Sequence, residues 1–343
     1  MTDAVLASHT RTDALTHSRT PRLGFLGVGW IGRHRMEAIA RAGFGHVAAV
    51  SDPSPEMTAA ARETAPDAEV VDGLDGLLEM GLDGIVIATP SALHAEQSIR
   101  ALAAGVAVFC QKPLGRTAEE VRRVVDAARA ADRLLGVDLS YRFTEGMRQI
   151  RDRIDEFGRV YAVDLTFHNA YGPDKPWFYD PALSGGGCVM DLGVHLVDLA
   201  LWTLGFPAVE SVDGRLFAGG EPLRDAATQV EDYAVATIGL RGGAAVRLAC
   251  SWRLSAGQDA VIAADFYGTG GGAALRNVNG SFYDFTAELF HGTSRETLAT
   301  PPDEWGGRAG VDWARRLAAG ERFDPAAERL VEVARVLDRI YGR

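Results

Sequence analysis

Gly27-Val28-Gly29-Trp30-Ile31-Gly32 stands directly between an apolar run, residues 23–28, and a helix-like stretch, residues 33–42. Three glycines at that spacing make a demand on the backbone that few folds share. The first permits a tight turn from strand to helix. The second leaves room for a pyrophosphate against the backbone, and the third lets helix and strand pack closely. Trp30 and Ile31, candidate cofactor contacts, stand just before that helix, whose start suits an anion through its free N–H groups and the positive end of its dipole. Asp52 follows Gly32 by twenty residues, at the end of a second apolar run over residues 47–51, where an acid can bind ribose hydroxyls. That carboxylate would repel a 2′-phosphate, and residues 51–56 hold no Lys or Arg. NAD is therefore expected ahead of NADP.

The alternation continues downstream. Apolar runs at residues 69–71, 84–88, 106–110 and 134–139 are separated by amphipathic stretches at 55–63, 94–104 and 118–131. Such runs alternating with helices predict a parallel sheet covered on both faces, a Rossmann dinucleotide-binding domain over residues 22–140. From residue 141 to 343 the texture changes. Longer alternating segments at 160–168, 209–217, 233–240, 244–252, 260–267, 272–277 and 281–290 are joined by helix-like stretches at 145–157, 187–204, 311–319 and 325–340. The fold class expected is α/β, with the second domain an α+β unit built on a large, mostly antiparallel open sheet. Its last helix can pack back on the first domain, and the uncovered sheet face calls for a homo-oligomer, a dimer or tetramer.

Composition removes several classes of function. The 343 residues carry a net charge of −11 with no long basic tract, which argues against nucleic acid and against anionic lipid surfaces. No run of eighteen apolar residues is present, so no membrane-spanning helix is expected. Cys110, Cys188 and Cys250 lie far apart without a C-x-x-C pair, which fits a reduced compartment and offers neither a disulfide framework nor a metal site. Residues 1–21 read as a disordered leader without an apolar signal segment. The cytoplasm is the expected location.

The chain has 33 arginines and two lysines, Lys112 and Lys175. Lys112, in Gln111-Lys112-Pro113, ends the fifth predicted strand, and Thr89, Pro90 and His94 follow the fourth. Ligands bind at the carboxyl ends of parallel strands, so these residues are expected beside the cofactor. Farther on, Gly185-Gly186-Gly187 leads into a helix bearing Asp191 and His195. Four residues apart, they share one helical face. Asp198 continues that face, within reach of the imidazole from behind.

Glycine loop, T-P-x-x-x-H, x-K-P and G-G-G-x-x-x-D-x-G-x-H, in this order, resemble the Gfo/Idh/MocA oxidoreductases, the glucose–fructose oxidoreductase and inositol dehydrogenase family. The resemblance implies a Rossmann domain followed by an α/β domain whose open sheet forms the oligomer interface. It implies that Lys112, Asp191 and His195 are catalytic, with His94 on the cofactor side or structural. The expected reaction is hydride transfer between a nicotinamide and a carbinol or carbonyl carbon of a sugar, sugar derivative or cyclitol. Arg142, His168 and Trp177 are the candidate contacts to that small polyhydroxylated substrate. Two alternatives share the motifs: an NAD-dependent glycoside hydrolase working by transient oxidation and elimination, and a non-catalytic dinucleotide-binding regulator. One departure is plain: the family's usual Glu-Lys-Pro has Gln111 in its first position, which removes a negative charge beside Lys112.

Overall fold

The computed structural model describes residues 20–343, so nearly all of the expected leader lies outside the described residues. The first sheet is built from β1 (Arg22–Leu26), β2 (His46–Ser51), β3 (Glu69–Val70), β4 (Gly84–Ile87), β5 (Ala107–Cys110) and β6 (Leu135–Val137). Between them run α1 (Trp30–Ala42), α2 (Pro55–Thr64), α3 (Gly73–Leu78), α4 (Ser91–Ala103) and α5 (Ala118–Ala131). The strand order is β3-β2-β1-β4-β5-β6, and every pairing is parallel. Both β4 and β5 are buried along their whole length, which is why their apolar runs are unbroken. The order reverses between β1 and β4. A crevice opens there at the carboxyl ends of the strands.

A 3-10 turn, Ser140–Phe143, carries the chain into the second domain. Nine strands form its sheet: β7 (Val160–Asn169), β8 (Val209–Ala218), β9 (Glu221–Pro222), β10 (Tyr233–Leu240), β11 (Ala245–Ser251), β12 (Ala260–Gly268), β13 (Gly272–Asn277), β14 (Phe285–His291) and β15 (Ser294–Ala299). Their order is β15-β14-β13-β12-β7-β11-β10-β8-β9, antiparallel throughout except for the β7–β11 pair. Alternate residues face the core. Val163, Leu165 and Phe167 of β7 are buried with Val246 and Leu248 of β11, while Asp164 and Arg247 pair on the opposite face.

The helices of this half are α6 (Glu145–Asp152), α7 (Pro181–Ser184), α8 (Val194–Thr203), α9 (Arg308–Ala318) and α10 (Glu328–Ile340). The single helix expected over residues 145–157 divides, with a 3-10 turn at Ile154–Phe157 closed by Gly158 at φ 65°. The helices α9 and α10 return to the first domain. Trp313 of α9 packs on β4 and β6, where a Cβ at Gly84 or Gly136 would lie 2.6 or 2.8 Å from its ring. On α10, Val331 and Ala334 enter the core under the parallel sheet, while Val333, Val336, Leu337 and Ile340 enter the other domain's core. One helix thereby serves two cores with two faces.

Candidate active site

The glycine loop behaves as its spacing requires. Gly27 has φ 84°, a backbone conformation that side chains disfavour. A Cβ on Gly32 would sit 2.1 Å from the Gly27 carbonyl oxygen, whereas one on Gly29 would meet nothing within 4 Å. Two of the glycines are thus required by the protein's own packing, and the third faces open space. Gly29 caps α1 without a side-chain hydrogen bond, so the first amides of a thirteen-residue helix remain available to an anion. Asp52 is set against the loop: its Oδ2 accepts the Val28 N–H at 2.9 Å and its Oδ1 the Ser54 N–H at 2.9 Å.

From this loop a cleft of about 1460 Å³ runs between the domains, past Thr89, Pro90, Gln111 and Lys112 to Asp191 and His195. It exceeds the usual volume of a small-ligand pocket and has room for a dinucleotide with a second molecule beside it. His94 lies at its wall, its ring nitrogens 2.7 Å from the carbonyl oxygens of Pro113 and Thr89, one of which accepts the N–H of the neutral ring. Burial lowers its pKa, helped by the Lys112 charge.

Lys112 reaches across the domain boundary. Its Nζ donates to Asp191 Oδ1 at 2.7 Å and to the Asp191 carbonyl at 2.6 Å. Asp191 belongs to a single π-helical turn, Val189 to Gly193, before α8 begins, a local widening frequent at functional sites. A regular helix over residues 187–204 was expected and is not found. Trp252 donates its indole N–H to Asp191 Oδ2 at 3.1 Å, so both carboxylate oxygens are engaged. His195, 7% exposed, lies edge-to-face with Tyr141. Burial pushes its pKa well down, assisted by the charges of Lys112 and Arg35. The imidazole is therefore neutral at pH 7.

Glu231 has no signal in the sequence, yet it holds the π turn in place. Fully buried, it accepts the N–H groups of Gly187 at 2.9 Å and Val189 at 2.8 Å, and the Tyr341 hydroxyl at 2.7 Å. Burial raises its pKa against the pull of these donors. The glycine triplet is explained by this approach. A Cβ on Gly187 would lie 1.9 Å from the Glu231 carbonyl oxygen, and one on Gly186 2.0 Å from the Tyr341 hydroxyl.

Residues 22–139 match the model of the oxidoreductase family with an NAD-binding Rossmann fold, and residues 147–274 match the GFO/IDH/MocA C-terminal domain. The chain belongs to the Gfo/Idh/MocA family. D-glucoside 3-dehydrogenase of Escherichia coli (strain K12) is 32% identical over 58% of this chain and 60% of its own length. Inositol 2-dehydrogenase of Acidiphilium cryptum (strain JF-5) is 35% identical over 54% of each. The chain thus spans a little over half the length of these curated relatives. The crystal structure of GenD2 from gentamicin A biosynthesis, in complex with NAD, superposes with a TM-score of 0.78 at 25% identity over 95% of both chains.

Against the Gfo/Idh/MocA pattern, Gln111 is accounted for by its neighbours. Its Nε2 donates to Asp138 Oδ2 at 2.6 Å, and Arg35 Nε donates to the same oxygen at 2.6 Å. Of the three candidate substrate contacts, only Trp177 lines the cleft, stacked on Phe178 with ring centroids 3.8 Å apart. Arg142 forms an internal ion pair. Its Nε donates to Asp198 Oδ2 at 2.6 Å and its Nη2 to Asp198 Oδ1, a fork geometry matched to a carboxylate. Asp198 is consequently not behind His195, whose Nδ1 has no partner among the described residues. His168 is not among the residues lining the cleft. It lies on the sheet face away from the helices, 2.7 Å from Ser251 Oγ and stacked on Tyr233.

Proposed function

We propose that the protein is an NAD-dependent oxidoreductase acting on a secondary hydroxyl, or the matching ketone, of a sugar, sugar derivative or cyclitol. The observation that carries this reading is the meeting of Lys112, Asp191 and His195 in the cleft that begins at the glycine loop. The names of the relatives, a glucoside 3-dehydrogenase and an inositol 2-dehydrogenase, support the substrate class. Residues present fit the dinucleotide: the open space beside Gly29, the uncapped start of α1, and Asp52 at the end of β2. When bound, NAD takes up or delivers the hydride. Asp52, with no cation in residues 51–56, supports NAD over NADP.

The protein's own groups handle the proton and the oxygen. Lys112, paired with Asp191, serves as an ammonium donor to the substrate oxygen and stabilises negative charge as it develops there. Neutral His195 takes the hydroxyl proton. Asp191, steadied by Trp252, holds the lysine ammonium in place and aims it. Trp177 offers an apolar face to the ring of the substrate.

Three buried free thiols support a reducing cytoplasm as the setting. Among the described residues, no helix is long and apolar enough to cross a membrane. The uncovered face of the nine-stranded sheet, with Tyr267 exposed on it, supports assembly with further copies of this chain. NADH fluorescence on mixing NAD with polyols, aldoses and alkyl glycosides tests the function. Accumulating NADH is expected, and His195→Ala should abolish turnover while NAD still binds. Release of free sugar from glycosides without net NADH would replace the reading with the hydrolytic one, and no reaction with any class would reject it.

A further inference from the structure

Beside the Lys112–Asp191 pair lies a second charge cluster that the mechanism leaves unused. Arg35 on α1, Asp138 just past β6 and Gln111 just past β5 are all buried, Asp138 to 1% exposure. Asp138 Oδ2 accepts from both Arg35 Nε and Gln111 Nε2 at 2.6 Å, and Asp138 Oδ1 has no partner among the described residues. An ionised carboxylate only accepts hydrogen bonds, so Gln111 must turn its NH2 group toward Asp138. Its Oε1 is left as the acceptor beside the cleft that Gln111 lines. The other titratable groups around the cluster are His34, whose Nδ1 is 2.9 Å from Arg35 Nη1, with Cys110 and Lys112 flanking Gln111 and His195 within the field of Arg35.

We propose that Asp138 is a positioning residue for the cofactor: it carries the carboxylate that the Glu-Lys-Pro pattern keeps at position 111. Through that carboxylate it holds Gln111 Oε1 as an acceptor for a hydroxyl or amide N–H on the nicotinamide half of the dinucleotide. The proposal rests on the dinucleotide reading above. The carboxylate has in effect moved one strand over, from the end of β5 to the end of β6, and Arg35 joins it to the helix that follows the glycine loop.

Three variants test this: Gln111→Glu, Asp138→Asn, and the two combined. Each is read by melting of the cofactor-free protein and by NAD binding through quenching of tryptophan fluorescence. In Gln111→Glu, two adjacent carboxylates share a proton at about pH 6 and repel at about pH 8.5. Its melting temperature should fall against the parent as pH rises, and its Kd for NAD should rise about tenfold at the higher pH. In Asp138→Asn the buried Arg35 loses its counter-charge, and both readouts should worsen at both pH values. The double variant returns the carboxylate to position 111. The amide introduced at position 138 can then donate to that carboxylate and accept from Arg35, and both readouts should recover, with Kd within about threefold of the parent.

Losses that multiply in the double variant would overturn the exchange. So would a Gln111→Glu protein that melts and binds like the parent at high pH. A parent protein that binds no NAD would overturn the role of Gln111 together with the dinucleotide reading. The melting cycle reads the exchange without cofactor, so the two failures are told apart.

Discussion

Replacing Arg142 by Met decides between two roles for that residue. Arg142 is 21% exposed and Asp198 2%, and the guanidinium also lies 5.9 and 5.7 Å from the rings of Trp202 and Phe206. A methionine keeps an apolar stem against those rings and removes the charge together with its two hydrogen bonds to Asp198. Asp198 is then a buried carboxylate without a counter-ion, a change that costs about 3–5 kcal/mol. With unfolding entropy near 2.1 cal/mol/K per residue, a chain of this length should melt lower by about 4–7 °C. Asp198 already has a raised pKa from burial, which Arg142 opposes. Without Arg142 the carboxyl rises further and is neutral in acid, so the deficit should be small near pH 4 and grow toward neutrality. Differential scanning fluorimetry at both pH values measures this, and steady-state kinetics on the substrate found in the NADH screen should show KM within about twofold. Asp198→Leu added to Arg142→Met should restore the melting temperature, since an apolar pair can replace a buried ion pair. A variant that melts like the parent while KM rises tenfold or more would refute the ion-pair reasoning and return Arg142 to the substrate.

Gly29→Ala should fold with an unchanged melting temperature in the absence of cofactor, since its Cβ meets nothing, yet bind NAD about tenfold more weakly or worse; Gly32→Ala, forced against the Gly27 carbonyl, should lose stability before any ligand is added. Because the folded-state pKa of His195 lies well below 6.5, the unfolded chain binds a proton that the folded one refuses. Stability should therefore fall as pH drops below 6.5 toward that lowered value, and His195→Asn should flatten this slope in urea melts at pH 7.5 and 5. Glu231→Gln exchanges one acceptor oxygen for an NH2 group facing an N–H or hydroxyl, at a cost of about 1–3 kcal/mol. Calorimetry should register that loss, and turnover should fall while NAD affinity holds.

The parts of the site legible in the sequence are those whose meaning is local. Gly27, Gly29 and Gly32 state their turn within six residues, and Asp52 belongs to the same strand–helix–strand unit. Lys112 stands out because it ends a buried strand. What the sequence does not show are partners remote along the chain: Arg35 with Asp138 across 103 residues, Trp252 with Asp191 across 61, Glu231 with Tyr341 across 110. No periodicity links such positions. The π turn is hidden for another reason, since the four-residue spacing of Asp191 and His195 presumes a regular helix. The place of His168 was within reach of the sequence: Val163, Leu165 and Phe167 face the core, and strand parity alone puts His168 on the other side.

The return of α9 and α10 to the parallel sheet has a consequence for the order in which the protein is made. Residues 22–140 leave the ribosome first, but Trp313, which seals the surface over Gly84 and Gly136, follows roughly 170 residues later. At ~5–20 residues per second that delay is on the order of 10–35 s. Throughout it the cofactor half carries an unsealed apolar strip, open to chaperones and to other nascent chains. The half that is synthesised first is completed only by helices made after the sheet of the second.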